Sequence, residues 1–343
     1  AGVPSLGSQG TRRTEGAMTV IDFHNHFYPP EYISALRDGR SKIAVSFDVD
    51  DNPVLHSPGD ENVIVPGHRD IDMRQRVIEA AGIDTQVLTF TAPGTDIEPP
   101  ARAVELARLV NDALAAIRTE RPDRFTALAT LPMVDPDAAV VEFDRVTSDL
   151  GLPGCMLFSN ANGVALSDER FWPLYERASE RNAVLYIHPT YPIGVEAMTD
   201  FWLMPLVGFT FDTTLAAAKL VFQGIPERYP GIRWVLGHLG GAIPYLAERL
   251  DRGYYAFADC RAHISRPPSQ YLREFYYDTV NFDPAALALA VEFAGADHLL
   301  AGSDYPHQIG SIERMLGSLG ELELSAGERL QVLGGTAVKL LAL

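Results

Sequence analysis

The segment TVIDFHNHFYPP, residues 19–30, decides the fold. Apolar and β-branched residues lead into His24 and His26, and aromatic residues and two prolines follow. Residues two apart on a strand point to the same face of a sheet, so both imidazoles lie on one side. Any further groups that bind beside these two imidazoles must therefore come from other parts of the chain.

Seven further apolar segments resemble this first strand, and segments with helical spacing separate them. Most are apolar throughout, as is typical of parallel strands covered on both faces. The eight predicted strands are 19–24, 85–90, 125–131, 154–159, 183–189, 232–238, 274–280 and 298–304. Asp135 followed by Pro136 is a typical helix start. The alternation predicts the α/β class, with residues 18–343 forming a (β/α)8 TIM barrel as a single catalytic domain.

Two segments are longer than a plain barrel needs, namely residues 39–69 after strand 1 and residues 189–210 after strand 5. The first shows no clear helix, and the second is rich in proline and aromatic residues. Because both follow the carboxyl ends of strands, we expect these insertions to form the lid and walls of a pocket. Residues 1–17 lack the apolar stretch of a signal peptide, which indicates a flexible N-terminal extension or a remnant of recombinant expression.

The composition excludes several kinds of partner. The net charge of −17 over 343 residues repels phosphate backbones and anionic lipids, which disfavours nucleic-acid and membrane-surface binding. It does not disfavour a small anionic substrate, since a local pocket can be positive. Cys155 and Cys260 form no CxxC pair, so we expect two small buried residues in a reducing cytoplasm. No apolar run reaches about eighteen residues, so no membrane span is expected.

Metal-competent side chains stand at the ends of four predicted strands. They are His24 and His26 on strand 1, His188 on strand 5, His238 on strand 6 and Asp304 on strand 8. Residues that point inward at the carboxyl rim of a barrel converge. A single histidine there is more often structural, but this combination of imidazoles and a carboxylate predicts a divalent-metal site, with zinc as the first choice.

Further residues near the rim are candidates for the pocket. The aromatic candidates after strands 1 and 5 are Phe27, Tyr28, Trp202, Phe209 and Phe211, and core packing explains each of them equally well. Tyr305 and His307 follow Asp304 and can reach polar groups of a substrate, and His68 is another rim residue. Asp22 is expected either to orient His24 or to make a structural hydrogen bond. The remaining histidines, His56, His263 and His298, are expected at the surface.

Four motifs occur in order along these strands. They are DFHNH (22–26), YIHP (186–189), GHLGGAIPYLAERL (237–250) and GSDYP (302–306), and TFTAPGT (89–95) and FDTT (211–214) accompany them. Over about residues 19–340 the chain resembles the amidohydrolase-related metal-dependent decarboxylases. These include aminocarboxymuconate-semialdehyde decarboxylase and its relatives that act on hydroxybenzoates and 6-methylsalicylate.

The resemblance implies roles for the strand-end residues. His24, His26, His188 and Asp304 bind one metal ion, zinc or alternatively manganese, and His238 is the acid–base residue beside it. Two-metal relatives need a lysine or glutamate at the end of strand 4, where this chain has LFSNANG (157–163). The resemblance therefore implies a single metal ion. His24 stands where many hydroxybenzoate decarboxylases have glutamate, which places the chain nearer the aminocarboxymuconate type.

The resemblance also implies arginines that hold a substrate carboxylate. One comes from the segment before the first core helix, where residues 39–68 contain only Arg40, far from the matching place. A second comes from the neighbouring subunit and falls on Arg249, which implies a homodimer or a dimer of dimers. The alternative for Arg249 is an exposed helix residue paired with Glu248 or Asp251.

The predicted reaction is non-oxidative decarboxylation of an aromatic or unsaturated carboxylic acid. A carbon that is protonated first can accept the electrons left by carbon dioxide, and an imidazole such as His238 can transfer that proton. A metal ion can hold the carboxylate and a neighbouring oxygen. Alternatives are hydrolysis of an ester, lactone or amide by metal-activated water, hydration of a double bond, and an inactive binding barrel.

Overall fold

Eight short parallel strands form the centre of the fold. They are β1 (Ile21–His26), β2 (Thr85–Thr89), β3 (Phe125–Ala127 and Ala129–Thr130), β4 (Gly154–Phe158), β5 (Val184–His188), β6 (Arg233–Leu236), β7 (Tyr276–Asp278) and β8 (Leu299–Leu300). The computed structural model describes residues 19–57 and 60–343, with only the backbone of Asp60. Seven strands lie within their predicted segments, and β1 overlaps its segment 19–24 and runs two residues beyond it. The predicted extension 1–17 lies outside the described residues.

The strands pair in the order of the chain. β1, β2 and β3 pair in parallel, and the second half of β3 begins a parallel series that runs through β8. Leu128, between the halves of β3, donates its backbone N–H to Leu88 O at 3.1 Å. β8 returns to β1, because Phe23 N donates to Ala301 O at 2.7 Å and Asn25 bridges Tyr305 in parallel. This order and these links are those of the predicted (β/α)8 barrel.

The interior of the barrel is filled by apolar side chains from most of the strands. These include Ile21, Phe23, Val87, Leu128, Met156, Val184, Tyr186, Val235 and Leu300. A larger apolar layer lies between the strands and the helices. The register of β1 against β2 shifts between Asp22 and Asn25. Through this bulge two consecutive residues, Phe23 and His24, both contact the ring of Tyr186, at 5.6 and 5.7 Å.

Helices cover the outside of the strands. They are Pro30–Leu36, Pro66–Arg69, Ile71–Ala80, Pro100–Glu120, Pro136–Ser148, Trp172–Glu180, Phe209–Phe222, Ile225–Arg228, Ile243–Ala256, Pro268–Leu272, Pro284–Ala294, Ile312–Glu321, Ala326–Leu330 and Thr336–Leu341. Many begin with proline, whose missing N–H costs nothing in the first turn. Asp135 accepts from Ala138 N at 3.1 Å, which confirms the predicted helix start.

The first insertion contains structure that the sequence analysis misses. Three antiparallel strands, Ala44–Phe47, Pro53–Ser57 and Asp60–Val63, form a small sheet, and a four-residue helix, Pro66–Arg69, follows. The first of these strands is mostly exposed, so it carries little of the apolar pattern by which the barrel strands are recognised.

The second insertion packs across from the first. It contains a 3₁₀ turn, Val195–Ala197, and a π-helical turn, Met204–Gly208, that continues into Phe209–Phe222. A cavity of about 820 Å³ is lined by His56 and Glu61 from the first insertion and by Met198 and Trp202 from the second. The two insertions therefore meet around one cavity, and their role as the lid and walls of the substrate pocket stays a prediction.

Two features bear on the setting of the protein. The helical segment Met204–Phe222 is long and apolar enough, by length and composition alone, to cross a membrane, and 44 % of the window is buried within the protein. Core helices pass the same test, so this is weak evidence for a span. Both cysteines are free, and Cys260 is half-buried rather than buried like Cys155. The cytoplasmic location and the single-domain organisation stay predictions.

Candidate metal centre

His24 and His26 at the end of β1 meet Asp304 just beyond β8. The Nε2 atoms of the two histidines are 3.1 Å apart, and His26 Nε2 is 3.1 Å from Asp304 Oδ1. His24 Nε2 lies 3.4 Å from the same carboxylate oxygen. All three side chains are buried, and their ligand atoms are close enough to hold one metal ion.

His188 at the end of β5 adds a further imidazole. Its ring centroid is 4.7 Å from that of His26 and 5.2 Å from that of His24. His188 Nδ1 lies 2.8 Å from Pro189 O, which fixes this nitrogen as the donor and leaves a lone pair on Nε2. Within residues 19–57 and 60–343, Nε2 is buried and has no hydrogen-bond partner. A buried lone pair beside other imidazoles and a carboxylate fits a metal ligand.

His238 follows β6 and approaches Asp304 from another side. Its Nε2 is 3.9 Å from Asp304 Oδ2, and its ring centroid is 4.8 Å from that of His24. The residue has a φ of 52°, and its backbone N–H donates to Asp278 Oδ2 at 3.1 Å. His24, His188 and His238 form a second set of atoms close enough to hold an ion. The geometry therefore puts His238 beside the metal position.

Asp278, at the end of β7, is a site residue that the sequence analysis misses. Its Oδ2 accepts from His24 Nδ1 at 2.8 Å and from the Tyr186 hydroxyl at 2.9 Å. These bonds direct His24 Nε2 toward Asp304 and His26. Asp278 lies inside the predicted strand segment EFYYDTV, two residues before its end, whereas the structural strand β7 ends at Asp278.

The charges of the cluster suit a divalent cation. Burial lowers the pKa of His26 and of His188 well below the ordinary value, so both imidazoles are neutral and can donate a lone pair. Burial also opposes charge on His24, but Asp278 and Asp304 outweigh it and raise the pKa of His24 to about 10, so a metal ion that binds there must displace the proton from Nε2. Although burial raises the pKa of Asp304, the nearby imidazoles of His238, His24 and His26 keep that pKa well below the usual range. A carboxylate among imidazoles is a donor set that fits zinc or a similar ion.

Asp22 supports the loop that carries Asp304. Its carboxylate accepts from Ser303 Oγ at 2.7 Å, from Ser303 N at 3.0 Å and from Gln86 Nε2 at 2.8 Å. Burial raises the pKa of Asp22 to about 6 despite these bonds. From the sequence, Asp22 is expected either to make a structural hydrogen bond or to orient His24. It makes the structural hydrogen bond, and Asp278 orients His24.

Arg74 is a second buried residue that the sequence analysis misses. Its guanidinium donates to Asn25 Oδ1 at 2.7 Å, to Gln86 Oε1 at 3.1 Å, to Gly67 O and to His26 O. The group lies over the ring of Tyr305 at 5.0 Å from its centroid. Arg74 thereby ties the end of β1 to the loops on either side of it.

The predicted pocket aromatics fall into two environments. Phe27 and Tyr28 are fully buried in the apolar layer, which is the core-packing alternative. Trp202 is 68 % exposed and lines the cavity between the insertions, whereas Phe211 is 56 % exposed on its helix and Phe209 is half-buried.

The rim residues that follow Asp304 lie beside the centre. Tyr305 is half-buried, and its backbone O accepts from His26 N at 2.9 Å. The His307 ring centroid is 4.8 Å from that of His26 and 5.0 Å from that of the buried His68. The other predicted surface histidines, His56, His263 and His298, are exposed or half-exposed.

The arginines considered from the sequence lie on the surface of the subunit. Arg40 is exposed and pairs with Asp38 and Glu105 at 2.6 and 2.8 Å. Arg249 is exposed on the helix Ile243–Ala256. Its expected local partners are engaged elsewhere, Glu248 with Arg252 at 2.8 Å and Asp251 with Ser269 Oγ at 2.7 Å.

Comparisons with known proteins agree with this geometry. A family described as amidohydrolase matches residues 21–343. The chain is 32 % identical to 2-amino-3-carboxymuconate-6-semialdehyde decarboxylase of Dictyostelium discoideum over 80 % of this chain and 77 % of that protein. It is 31 % identical to 6-methylsalicylic acid decarboxylase of Penicillium expansum, over 94 % and 96 %. A solved dihydroxybenzoic acid decarboxylase from Polaromonas sp. JS666, with bound manganese and the inhibitor 2-nitroresorcinol, is 26 % identical, with a TM-score of 0.80 over 95 % of this chain and 98 % of that chain.

Proposed function

The chain belongs to the amidohydrolase family and, within it, to the metal-dependent decarboxylases, and from this premise we propose that His238 protonates an aromatic or unsaturated carboxylic acid held at the metal centre. The observation that carries the proposal is the convergence of His24, His26, His188 and Asp304 with His238 beside them. Decarboxylation is favoured over hydrolysis because the relatives of this chain are decarboxylases.

The proposed metal ligands are His24, His26, His188 and Asp304. A divalent ion bound there supplies positive charge that orients the acid and stabilises negative charge as it develops. The chain's own part is to hold the ligands in place, with Asp278 fixing His24 and Pro189 O fixing the tautomer of His188. We propose zinc, because imidazole nitrogens suit it, with manganese as the alternative because a relative binds it.

The proposed proton transfer accounts for the electrons of the broken bond. His238 donates a proton to the substrate carbon that bears the carboxylate. The bond between that carbon and the carboxylate then breaks, its electron pair stays with the substrate, and carbon dioxide leaves. His238 then regains a proton from solvent. Its Nδ1 is buried and has no hydrogen-bond partner in the part of the chain that the structure describes, so no protein acceptor fixes the tautomer.

The test is product analysis with a panel of hydroxybenzoates and carboxymuconate-type acids. The enzyme is prepared separately with zinc and with manganese, and release of carbon dioxide is followed together with loss of the acid. We expect stoichiometric carbon dioxide with at least one acid, and none from the chelator-treated enzyme. A ring-opened, hydrated or hydrolysed product without carbon dioxide would support a rival reaction instead.

The proposed substrate contacts are Tyr305 and His307, which lie beside the centre, and Trp202, which lines the cavity. A homodimer, or a dimer of dimers, is also proposed, in which Arg249 of the partner subunit holds a substrate carboxylate. Its exposed position on Ile243–Ala256, where the neighbouring Glu248 and Asp251 bond to other residues, is compatible with this role. Mixing Arg249→Ala subunits with His238→Ala subunits should restore activity, and verified heterodimers that stay inactive would count against the shared site.

A further inference from the structure

His68 is a buried histidine on the short helix Pro66–Arg69. The residue is 2 % exposed, and among the described residues neither Nδ1 nor Nε2 has a partner. Buried polar atoms in folded proteins are nearly always paired with protein, water or a ligand. Because the described residues leave both nitrogens unpaired, both are available to a bound ligand or to water.

His307 lies between His68 and the proposed metal ligand His26. The His68 ring centroid is 5.0 Å from that of His307, which in turn is 4.8 Å from that of His26. The Tyr28 ring packs against His68 with its centroid at 5.4 Å. The Tyr28 hydroxyl is engaged elsewhere, since it bonds to Ala92 O and Asn62 Nδ2. His68 and His307 thus extend the site away from the metal position.

The backbone holds His68 in this place without help from a ligand. Its N–H donates to Val65 O at 2.9 Å, and its carbonyl accepts from Tyr28 N at 2.7 Å. The neighbouring Gly67 lies against the loop after Asp304, because a Cβ there would come within 2.5 Å of the Tyr305 hydroxyl. The imidazole is therefore pre-positioned, which lowers the entropic cost of binding to it.

The charge near His68 favours an electron-rich group. The Arg74 guanidinium donates twice to Gly67 O, at 3.1 and 2.9 Å, and its other acceptors are neutral oxygens of Asn25, Gln86 and His26. Asp22 is the carboxylate whose charge acts on Arg74, and it makes its own hydrogen bonds to Ser303 and Gln86 rather than to the guanidinium. The buried positive charge of Arg74, which lies against Gly67 of the short helix Pro66–Arg69, attracts an oxygen that carries negative or partial negative charge.

We propose that His68 forms a distal subsite that binds a ring hydroxyl of the substrate, at a position away from the carboxylate that is lost. One nitrogen of His68 donates to the hydroxyl oxygen, and the other can accept a hydrogen bond from water or the ligand. This subsite selects among aromatic acids, whereas the metal ligands and His238 act at the carboxylate end. The inference rests on the proposed function only in taking the ligand to be an aromatic acid.

Binding of ortho-nitrophenol and its ring-hydroxylated derivatives tests this subsite. The nitro group has the planar shape of a carboxylate and cannot leave as carbon dioxide, so the dissociation constants do not depend on turnover. We expect at least one hydroxylated derivative to bind the metal-loaded enzyme about tenfold more tightly than ortho-nitrophenol. His68→Phe should abolish this advantage and leave the affinity for ortho-nitrophenol within about threefold. The exposed His263→Phe serves as the matched control and should keep the advantage.

Three outcomes would overturn the inference. The first is that the wild-type enzyme binds no hydroxylated derivative more tightly than ortho-nitrophenol. The second is that His68→Phe keeps the advantage of the hydroxylated derivative. The third is that His68→Phe loses affinity equally for every ligand. If the phenylalanine is not tolerated, His68→Leu gives the same comparison with a smaller side chain, and His68→Gln should retain part of the advantage. An enzyme that releases no carbon dioxide from any acid would refute the proposed function, but these dissociation constants would still decide the subsite.

Discussion

His238 is the residue on which the proposed chemistry depends. His238→Ala removes the proton donor and leaves His24, His26, His188 and Asp304 in place. We expect turnover to fall by about a hundredfold or more, because a positioned acid–base group contributes at least that factor. Metal content, measured by elemental analysis, should stay near the wild-type value. A variant that loses its metal would instead identify His238 as a ligand.

Asp278 acts on the metal ion through His24. Asp278→Asn keeps the shape of the side chain and weakens the hydrogen bond to His24 Nδ1, which is 2.8 Å long. We expect metal affinity to fall by about tenfold to a hundredfold, as is usual when a partner of a metal-binding histidine is changed. Competition with a chromogenic chelator measures the affinity. Asp297→Asn, at an exposed carboxylate beside His298, is the control and should change nothing.

The loop after β8 holds Asp304 through a close backbone contact. A Cβ on Gly310 would lie 2.2 Å from Asp304 O, so Gly310→Ala must displace the segment that carries this ligand. We expect a loss of both metal and activity. Gly317 has nothing within 4 Å of its added Cβ, and Gly317→Ala on the helix Ile312–Glu321 should keep both. Full metal content in Gly310→Ala would show that the loop can yield without moving Asp304.

The loop after β2 carries a buried carboxyl group, Asp96. Its Oδ1 has no hydrogen-bond partner in the described part of the chain, and burial raises the pKa of Asp96 to about 7 from 3.8. An acid with a higher pKa in the folded state binds its proton more tightly there, so its contribution to stability falls as the pH rises from about 4 to about 7. Asp96→Asn should therefore stabilise the protein more at pH 8 than at pH 5, by about 3 kcal/mol.

Urea denaturation of wild type and Asp96→Asn at both pH values measures this difference. The exposed Asp123→Asn is the control, with no pH-dependent gain expected. An equal effect of Asp96→Asn at the two pH values would mean that the carboxyl group is hydrated or paired in solution.

At the scale of the whole molecule, the metal ion links distant parts of the barrel. Its proposed ligands come from β1, β5 and the segment after β8. An ion that binds the folded state and not the unfolded state therefore stabilises the whole fold. Removal of the ion by a chelator should lower the melting temperature, and re-addition should restore it. Free metal at about a hundred times the dissociation constant corresponds to about 2.7 kcal/mol. His188→Ala should respond much less, and an equal response would mean that the ion acts elsewhere.

The barrel and the metal ligands are predictable from the sequence for the same reason. Parallel strands are apolar throughout, so a histidine or aspartate at the end of one, such as His188 or Asp304, stands out. Asp278 is missed because the predicted strand runs on to Val280 and places this carboxylate inside the segment rather than at its end. Arg74 is missed, and the burial of the rim candidate His68 is not foreseen, because their environments arise from contacts between segments distant in sequence. The small sheet that begins at Ala44 is missed because its first strand is mostly exposed.

The contact between His26 and Asp304 spans 278 residues of sequence and crosses the seam between β8 and β1. A ribosome releases His24 and His26 early and Asp304 near the end of synthesis. During synthesis, the imidazoles of His24 and His26 can therefore contact metal ions before Asp304, the last of the proposed ligands, has been made. We expect the metal ion to bind to its complete site only after translation, when β8 has come to lie beside β1. A chain truncated before Asp304 lacks one of the proposed ligands, so we expect it to bind the metal ion more weakly than the complete chain.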